Sequence, residues 1–126
     1  MDAVRRRAQD RCEYCRLPAH ATSLAFHPDH IIAAKHRGRT HEANLAWACF
    51  YCNSYKGACI AGPDPHTGRL TRLFHPRFDE WPEHFRWSGA TLAATTAIGR
   101  TTIAVLNINH SDAVRLRRAL MREGLF

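Results

Sequence analysis

The 126-residue sequence contains no long apolar segment. No run approaches the ~20 apolar residues that a membrane-spanning helix needs. The first eleven residues, MDAVRRRAQDR, also lack the apolar core of a secretory signal peptide. We therefore expect a soluble, cytoplasmic protein without a membrane partner. Because this length and an apolar content of 45% suffice for one modest core but hardly for two, we expect a single domain over residues 1–126.

Acidic residues are scarce relative to basic ones. The chain has 18 Lys and Arg against 11 Asp and Glu, a formal net charge of +7. Residues 1–72 hold 11 basic and 6 acidic residues (+5), whereas residues 73–126 hold 7 and 5 (+2). A basic surface suits a polyanion such as nucleic acid, although it can also serve solubility alone. The uneven distribution favours a polyanionic partner near the first part of the chain.

Cysteines are few, and their odd number of five argues against a disulfide framework in a reducing compartment. Four of them form two Cys-x-x-Cys pairs, which are Cys12, Cys15, Cys49 and Cys52, and Cys59 is left over. Four thiolates complete the tetrahedral shell of Zn²⁺ and leave no open position for a substrate. The pattern therefore predicts a structural zinc site with a long insert between its two halves. The alternative is a set of buried free thiols.

The stretch from Phe26 to Gly57, FHPDHIIAAKHRGRTHEANLAWACFYCNSYKG, overlaps that insert and concentrates residue types that act on phosphates. His30 can accept a proton near neutral pH, and Asp29 offers a hard carboxylate oxygen suited to Mg²⁺ or Mn²⁺. Asn53 offers a second oxygen ligand, and zinc bound by the preceding Cys52 would fix its direction. Taken singly, His30 is also compatible with a structural histidine and Asn53 with a helix cap.

Basic residues flank these candidates in three groups. The predicted phosphate contacts are Arg5, Arg6 and Arg7 on a first helix, Lys35, Arg37 and Arg39 in a loop, and Lys56. The alternatives are an ordinary solvated helix and a mobile surface loop. Aromatic residues cluster later, and packing is favoured over stacking on bases for Phe74, Phe78, Trp81, Phe85 and Trp87.

Local patterns predict the remaining elements. Pro28 in a Thr-, Leu- and Ile-rich stretch favours two short strands or a bent hairpin within residues 22–32. Adjacent strand residues point to opposite faces, so Asp29 and His30 share a site only if the strand bends there. A first helix is predicted over residues 2–11, a short one over 45–47 with Asn44 as its cap, and another that includes residues 53–56 and stops near Gly57. Residues 61–68 are predicted to be a loop, and residues 96–107 a helix, with a strand as the alternative. The last helix is predicted over residues 111–123, with Ser111 as its cap and Arg117 facing outward.

Together, DHII, the loop containing Gly38, NL and CxxCNxxKG resemble the HNH endonuclease family. The resemblance covers about residues 11–57 and leaves 58–126 as a C-terminal extension. It implies an α+β fold in which a small zinc-stapled ββα-metal core carries additional helices. It further implies that His30 is the general base, that Asn44 steadies the loop carrying it, and that Asn53 is a catalytic metal ligand. Asp29 resembles the acidic metal ligand beside the base in many relatives.

These observations predict a divalent-metal-dependent DNA endonuclease or nickase with structural Zn²⁺ and catalytic Mg²⁺ or Mn²⁺. A non-catalytic, zinc-stabilised nucleic-acid-binding module is the alternative, but it leaves Asp29, His30 and Asn53 together without a task. A redox or protein-interaction module also leaves the arginines unexplained. The sequence leaves open DNA versus RNA, nicking versus double-strand cleavage, and the oligomeric state.

Overall fold

The computed structural model describes residues 2–126. Its α-helices are α1 (Asp2–Arg7), α2 (Phe50–Lys56), α3 (Trp81–His84), α4 (Ala97–Val105) and α5 (Ser111–Arg122), and short 3₁₀ helices span Ala19–Ala21, Ala34–His36 and Glu42–Asn44. Its strands are β1 (His27–His30), β2 (Leu45–Ala48), β3 (Ala61–Pro63), β4 (Leu70–Arg72), β5 (Phe85–Ser88) and β6 (Thr91–Ala94). They form three antiparallel two-stranded sheets, β1–β2, β3–β4 and β5–β6. The predicted α+β class is confirmed.

Strands β1 and β2 and the helix α2 that follows them form a ββα unit. The register places His27 opposite Ala48 and His30 opposite Leu45. The predicted helix over residues 45–47 is therefore wrong, because pairing along the whole of β1 holds this segment extended. The prediction of two short strands or a bent hairpin within residues 22–32 is also wrong, since this segment contains one strand and each β1 residue pairs with a residue 15 to 21 positions further along the chain.

The N-terminal helix is shorter than predicted and ends at Arg7. Gln9 and Asp10 follow with φ angles of 55° and 54°, a left-handed conformation that an α-helix cannot continue. The chain then turns tightly, with the Arg16 amide donating to the Cys12 carbonyl over 2.9 Å. This turn carries the first cysteine pair.

Helix α4 is confirmed, and its cap is Thr96, whose hydroxyl accepts from the Gly99 amide. The predicted loop over 61–68 is partly strand, because β3 and β4 form a hairpin against α4. Gly62 permits this contact, since a Cβ at that position would lie 2.6 Å from Val105 Cγ2.

Helix α5 differs from its prediction in two respects. Its cap is His110, whose Nδ1 accepts from the Ala113 amide, and not Ser111. Arg117 points inward and is only 2% exposed. Its guanidinium donates to the carbonyls of Ala90 and Ile108, which satisfies acceptors that would otherwise be buried without a partner.

One hydrophobic cluster joins the ββα unit to the C-terminal part of the chain. It includes both cysteine pairs and Ile31 together with Leu73, Phe74, Phe85, Leu92, Leu106, Ile108 and Leu120. The predicted packing of the aromatic segment is confirmed for Phe74, Trp81, Phe85 and Trp87, but Phe78 is exposed.

Within residues 2–126 no helix has both the length and the apolar character needed to span a bilayer.

Candidate functional site

Two tight turns bring the four paired cysteines together as a buried cluster, called here the cysteine cluster. Their sulfur atoms all lie within 4.8 Å of one another. The Cys15 amide donates to Cys12 Sγ and the Cys52 amide to Cys49 Sγ, each over 3.4 Å. Four sulfurs about 2.3 Å from one tetrahedral ion lie about 3.8 Å apart, and Cys15 and Cys49 are separated by 3.7 Å. The cluster therefore has the size and ligand set of a closed metal site.

The electrostatics of the cysteine cluster favour a bound cation. Hydrogen bonding to the Cys12 thiol raises the pKa of Cys15 and of Cys52 well above the ordinary value. Burial raises the pKa of Cys12, but hydrogen bonds from its three neighbours outweigh burial and bring it well below the ordinary value. The protein alone thus favours the thiolate of Cys12 and disfavours those of Cys15 and Cys52, and a bound cation would favour the ionised form of these ligands.

An open cavity of about 490 Å³ lies between β1, the turn after it and α2, and we call it the β1–α2 cleft. Its lining includes Asp29 and His30 from β1 and Asn53 from α2. His27 and Lys35 lie at the same surface. The structure therefore brings the predicted base and both predicted ligands of the catalytic ion to one cleft.

His30 is half-buried at this cleft, and its ring is held on one side. Its Nε2 lies 2.8 Å from the hydroxyl oxygen of Thr40. The other ring nitrogen, Nδ1, has no hydrogen-bond partner among residues 2–126. Sequence reasoning missed Thr40, because no spacing rule relates it to a histidine ten residues earlier.

Asn44 closes the loop from Ile32 to Arg39, which ends directly before Thr40. Its side-chain amide donates to the carbonyls of Ile32 (3.0 Å) and Arg39 (2.8 Å), and its Oδ1 accepts from the Ile32 amide (2.9 Å). Gly38 is required here, since a Cβ would lie 1.6 Å from the Ile32 carbonyl oxygen. Asn44 therefore positions a loop instead of capping a helix.

Asp29 faces inward as well as towards the cleft. Its Oδ2 accepts from the Tyr14 hydroxyl at 3.0 Å and pairs with Lys56 Nζ at 3.1 Å. Lys56 also donates to the His30 carbonyl at 3.0 Å. Burial raises the pKa of Asp29, an effect that Lys56 and Tyr14 oppose. Because Lys56 is 2% exposed and its ammonium is engaged, the predicted phosphate contact of Lys56 is wrong.

The other side chains predicted to contact phosphate differ in whether another group of the protein already pairs with them. The Arg5 guanidinium pairs with Asp10, with its Nε 3.0 Å from Oδ1. Arg7 donates to the carbonyls of Glu42 and Leu45 and so links α1 to the start of β2. Four are exposed and form no ion pair among residues 2–126, namely Arg6, Lys35, Arg37 and Arg39.

The predicted family resemblance is confirmed over the segment that carries the site. The family model described as HNH endonuclease matches residues 12–58. This segment contains the whole cysteine cluster and the residues of the β1–α2 cleft. No curated protein and no solved structure matches the chain.

Proposed function

We propose, from the premise that residues 12–58 form an HNH domain, that the protein is a divalent-metal-dependent DNA endonuclease or nickase. The observation that carries the proposal is the meeting of Asp29, His30 and Asn53 at one open cleft. A proton acceptor beside two oxygen ligands is what metal-assisted phosphodiester hydrolysis requires.

The cysteine cluster is proposed to hold one structural Zn²⁺. Its four sulfur ligands are buried and leave no position for a substrate. Cys49 caps α2 and Cys52 lies in its first turns, directly before Asn53. The cluster thus fixes the start of the helix that presents Asn53 to the cleft, and its contribution to cleavage is indirect.

His30 is proposed to act as the general base. The Thr40 hydroxyl lies 2.8 Å from Nε2 and is proposed to accept from Nε2–H, an arrangement that leaves Nδ1 unprotonated. That nitrogen can then remove a proton from the water that attacks phosphorus. Asn44 acts one step further away, because its bond to the Arg39 carbonyl positions the backbone next to Thr40.

Asp29 and Asn53 are proposed to hold the catalytic Mg²⁺ or Mn²⁺. When bound, such an ion stabilises the charge that develops on the phosphate and the leaving oxygen. Two protein oxygens suffice, since Mg²⁺ keeps several waters. Tyr14 and Lys56 engage Asp29 Oδ2, which fixes the direction of the carboxylate towards the cleft.

DNA is proposed to reach the cleft across the exposed basic residues beside it. Lys35 lines the cleft, and Arg37 and Arg39 line a neighbouring cavity on the same loop. Phosphate contacts of this kind orient a duplex without reading its sequence. Arg6, exposed on α1, is a further candidate.

The test is incubation of the purified protein with supercoiled plasmid and either Mg²⁺ or Mn²⁺, with EDTA as the control. We expect conversion to nicked or linear DNA that EDTA abolishes. DNA binding without cleavage under every divalent ion would replace the enzyme with the non-catalytic binding module. Cleavage that persists in EDTA would contradict the catalytic role of the divalent ion.

A further inference from the structure

Phe78 behaves unlike the other aromatic residues of its segment. It is 82% exposed, whereas Phe74 and Phe85 lie in the core. Exposure of one apolar side chain is common by itself, but the ring of Phe78 is also stacked. Its centroid lies 4.1 Å from that of His75, and the two planes differ by 15°. One face of Phe78 is thus covered by an imidazole, and the other face is open.

The His75–Phe78 stack is held in place before any ligand arrives. Asp79 accepts from the His75 amide at 2.9 Å and pairs with Arg72 at 2.7 Å. The Phe78 amide donates to the His75 carbonyl, and the Arg77 amide donates to His75 Nδ1. Burial lowers the pKa of His75, which favours the neutral ring, and the bond from the Arg77 amide occupies its Nδ1 as an acceptor. A ligand would find the exposed face already oriented, with little side-chain entropy left to lose.

The stack is connected to both parts of the proposed site. Arg77 pairs with Glu13, which lies inside the first cysteine turn. His75 lines a cavity of about 180 Å³ together with Ile32 and Lys56, and Lys56 donates to the His30 carbonyl. The position of Phe78 is therefore fixed relative to the cysteine cluster and to the strand that carries His30.

The chemistry of the exposed face indicates its ligand. A flat aromatic ring on a strongly basic protein matches a nucleobase, which brings a π-face and a phosphate together. In an intact duplex the neighbouring bases cover both faces of every internal base. We infer that Phe78, backed by His75, stacks on an unpaired base of single-stranded or locally opened DNA. This inference rests on the proposed function and adds that the substrate carries an unpaired base.

The experiment compares binding of a fluorescently labelled single-stranded oligonucleotide with binding of the matching duplex, without added Mg²⁺ or Mn²⁺ and without chelator, so that neither is cleaved and the structural zinc is kept. Phe78→Ala is expected to weaken single-strand binding about 5- to 100-fold, the range that loss of one aromatic–base stack produces. Duplex binding and the salt dependence should change little, because no phosphate contact is lost. Phe78→Trp should retain single-strand affinity.

Leu70→Ala is the matched control, since Leu70 is equally exposed at 81% but has no aromatic face. It should leave binding of both oligonucleotides unchanged. Equal affinity of Phe78→Ala and wild type for the single strand would overturn the inference, as would an equal loss on both DNA forms.

The failures of the two proposals can be told apart. A wild type that cuts plasmid while Phe78→Ala binds single strands normally would overturn only the stacking inference. A Phe78-dependent preference for single strands without any plasmid cleavage would support stacking and overturn the enzyme. Absence of binding to both DNA forms by wild type would overturn both proposals.

Discussion

Thr40 Oγ1 and His30 Nε2 lie 2.8 Å apart, across a loop that Asn44 closes. A histidine that acts as a base must offer one particular nitrogen, and the bond on its other nitrogen decides which tautomer is present. The hydroxyl of Thr40 provides that bond from outside the strand that carries His30. The HNH resemblance alone does not identify Thr40.

Thr40→Val should reduce cleavage about 5- to 10-fold with little change in KM, because the variant loses one hydrogen bond to the base while phosphate contacts are kept. Thr40→Ser retains a hydroxyl and should restore most of the rate. ¹⁵N NMR of the His30 ring tests positioning directly, since Thr40→Val should lower the population of the Nε2–H tautomer. A rate loss without any tautomer change would contradict the assigned role.

His30→Ala should lower the cleavage rate by about 10²–10⁴, the usual contribution of a general base. Zinc content and DNA affinity should be retained, because His30 contacts neither the cysteine cluster nor the basic loop side chains. Asn53→Ala should regain part of its activity at high Mn²⁺, whereas His30→Ala should not. Equal cleavage by His30→Ala and wild type would exclude His30 as the base.

One zinc per chain is expected by elemental analysis of protein purified without chelator. Cys49→Ser should lose the metal and most of the fold, because metal binding contributes directly to folding of such a site. Cys59→Ser is the control, since Cys59 is exposed and lies outside the cluster. Zinc-free wild type with an intact fold would contradict the prediction.

Lys56→Met should destabilise the protein by about 3–5 kcal/mol, because it leaves the Asp29 carboxylate buried without its charged partner. Adding Asp29→Asn to this variant should recover part of the loss, although Asp29→Asn alone impairs the proposed ion site. Urea unfolding measures both effects. Lys35→Met changes an exposed lysine at the same cleft and should alter stability by less than about 0.5 kcal/mol; comparable losses for both lysines would argue against the buried pair.

The ion pair of Asp64 with Arg100 should make the stability of the fold depend on pH. Hydrogen bonds from Arg100 lower the pKa of Asp64 below its ordinary value of 3.8. A lowered pKa in the folded state means that this carboxylate stabilises the fold above about pH 4 and loses that effect as the pH falls further. Asp64→Asn should therefore lower Tm at pH 7, and the difference from wild type should shrink towards pH 3. A constant difference would contradict this assignment.

Features with local signals were predicted correctly from the sequence. The Cys-x-x-Cys spacing identified the cluster, Gly57 marked the end of α2, and the apolar stripe of residues 98–106 indicated α4. The signature motif and its neighbouring carboxylate also identified Asp29, His30 and Asn53, three of the residues that line the cleft. The helix stop and the apolar stripe lie within a few residues of the features they predict, and each Cys-x-x-Cys pair is itself a local motif.

The errors concern partners that are distant in the chain. Leu45–Ala48 became a strand because β1 pairs with it, and no local pattern at Asn44 contains that information. Lys56 looked like a surface cation on a short helix, but Asp29, 27 residues earlier, provides a buried counter-charge. The helical pattern places Arg117 beside exposed arginines, but the fold places the carbonyls of Ala90 and Ile108 within reach of its guanidinium.

Most residues of the proposed site lie between the two cysteine pairs in the sequence, and this position affects when the cleft can form during synthesis. Asp29, His30, Thr40 and Asn44 all lie between the two Cys-x-x-Cys pairs, and Asn53 directly follows the last cysteine. When the cluster forms, it joins two turns that are 34 residues apart and closes the loop between them. A nascent chain that has not yet released Cys52 from the ribosome therefore has no assembled cleft. We expect the proposed cleft to assemble in one step, only after the second cysteine pair has emerged.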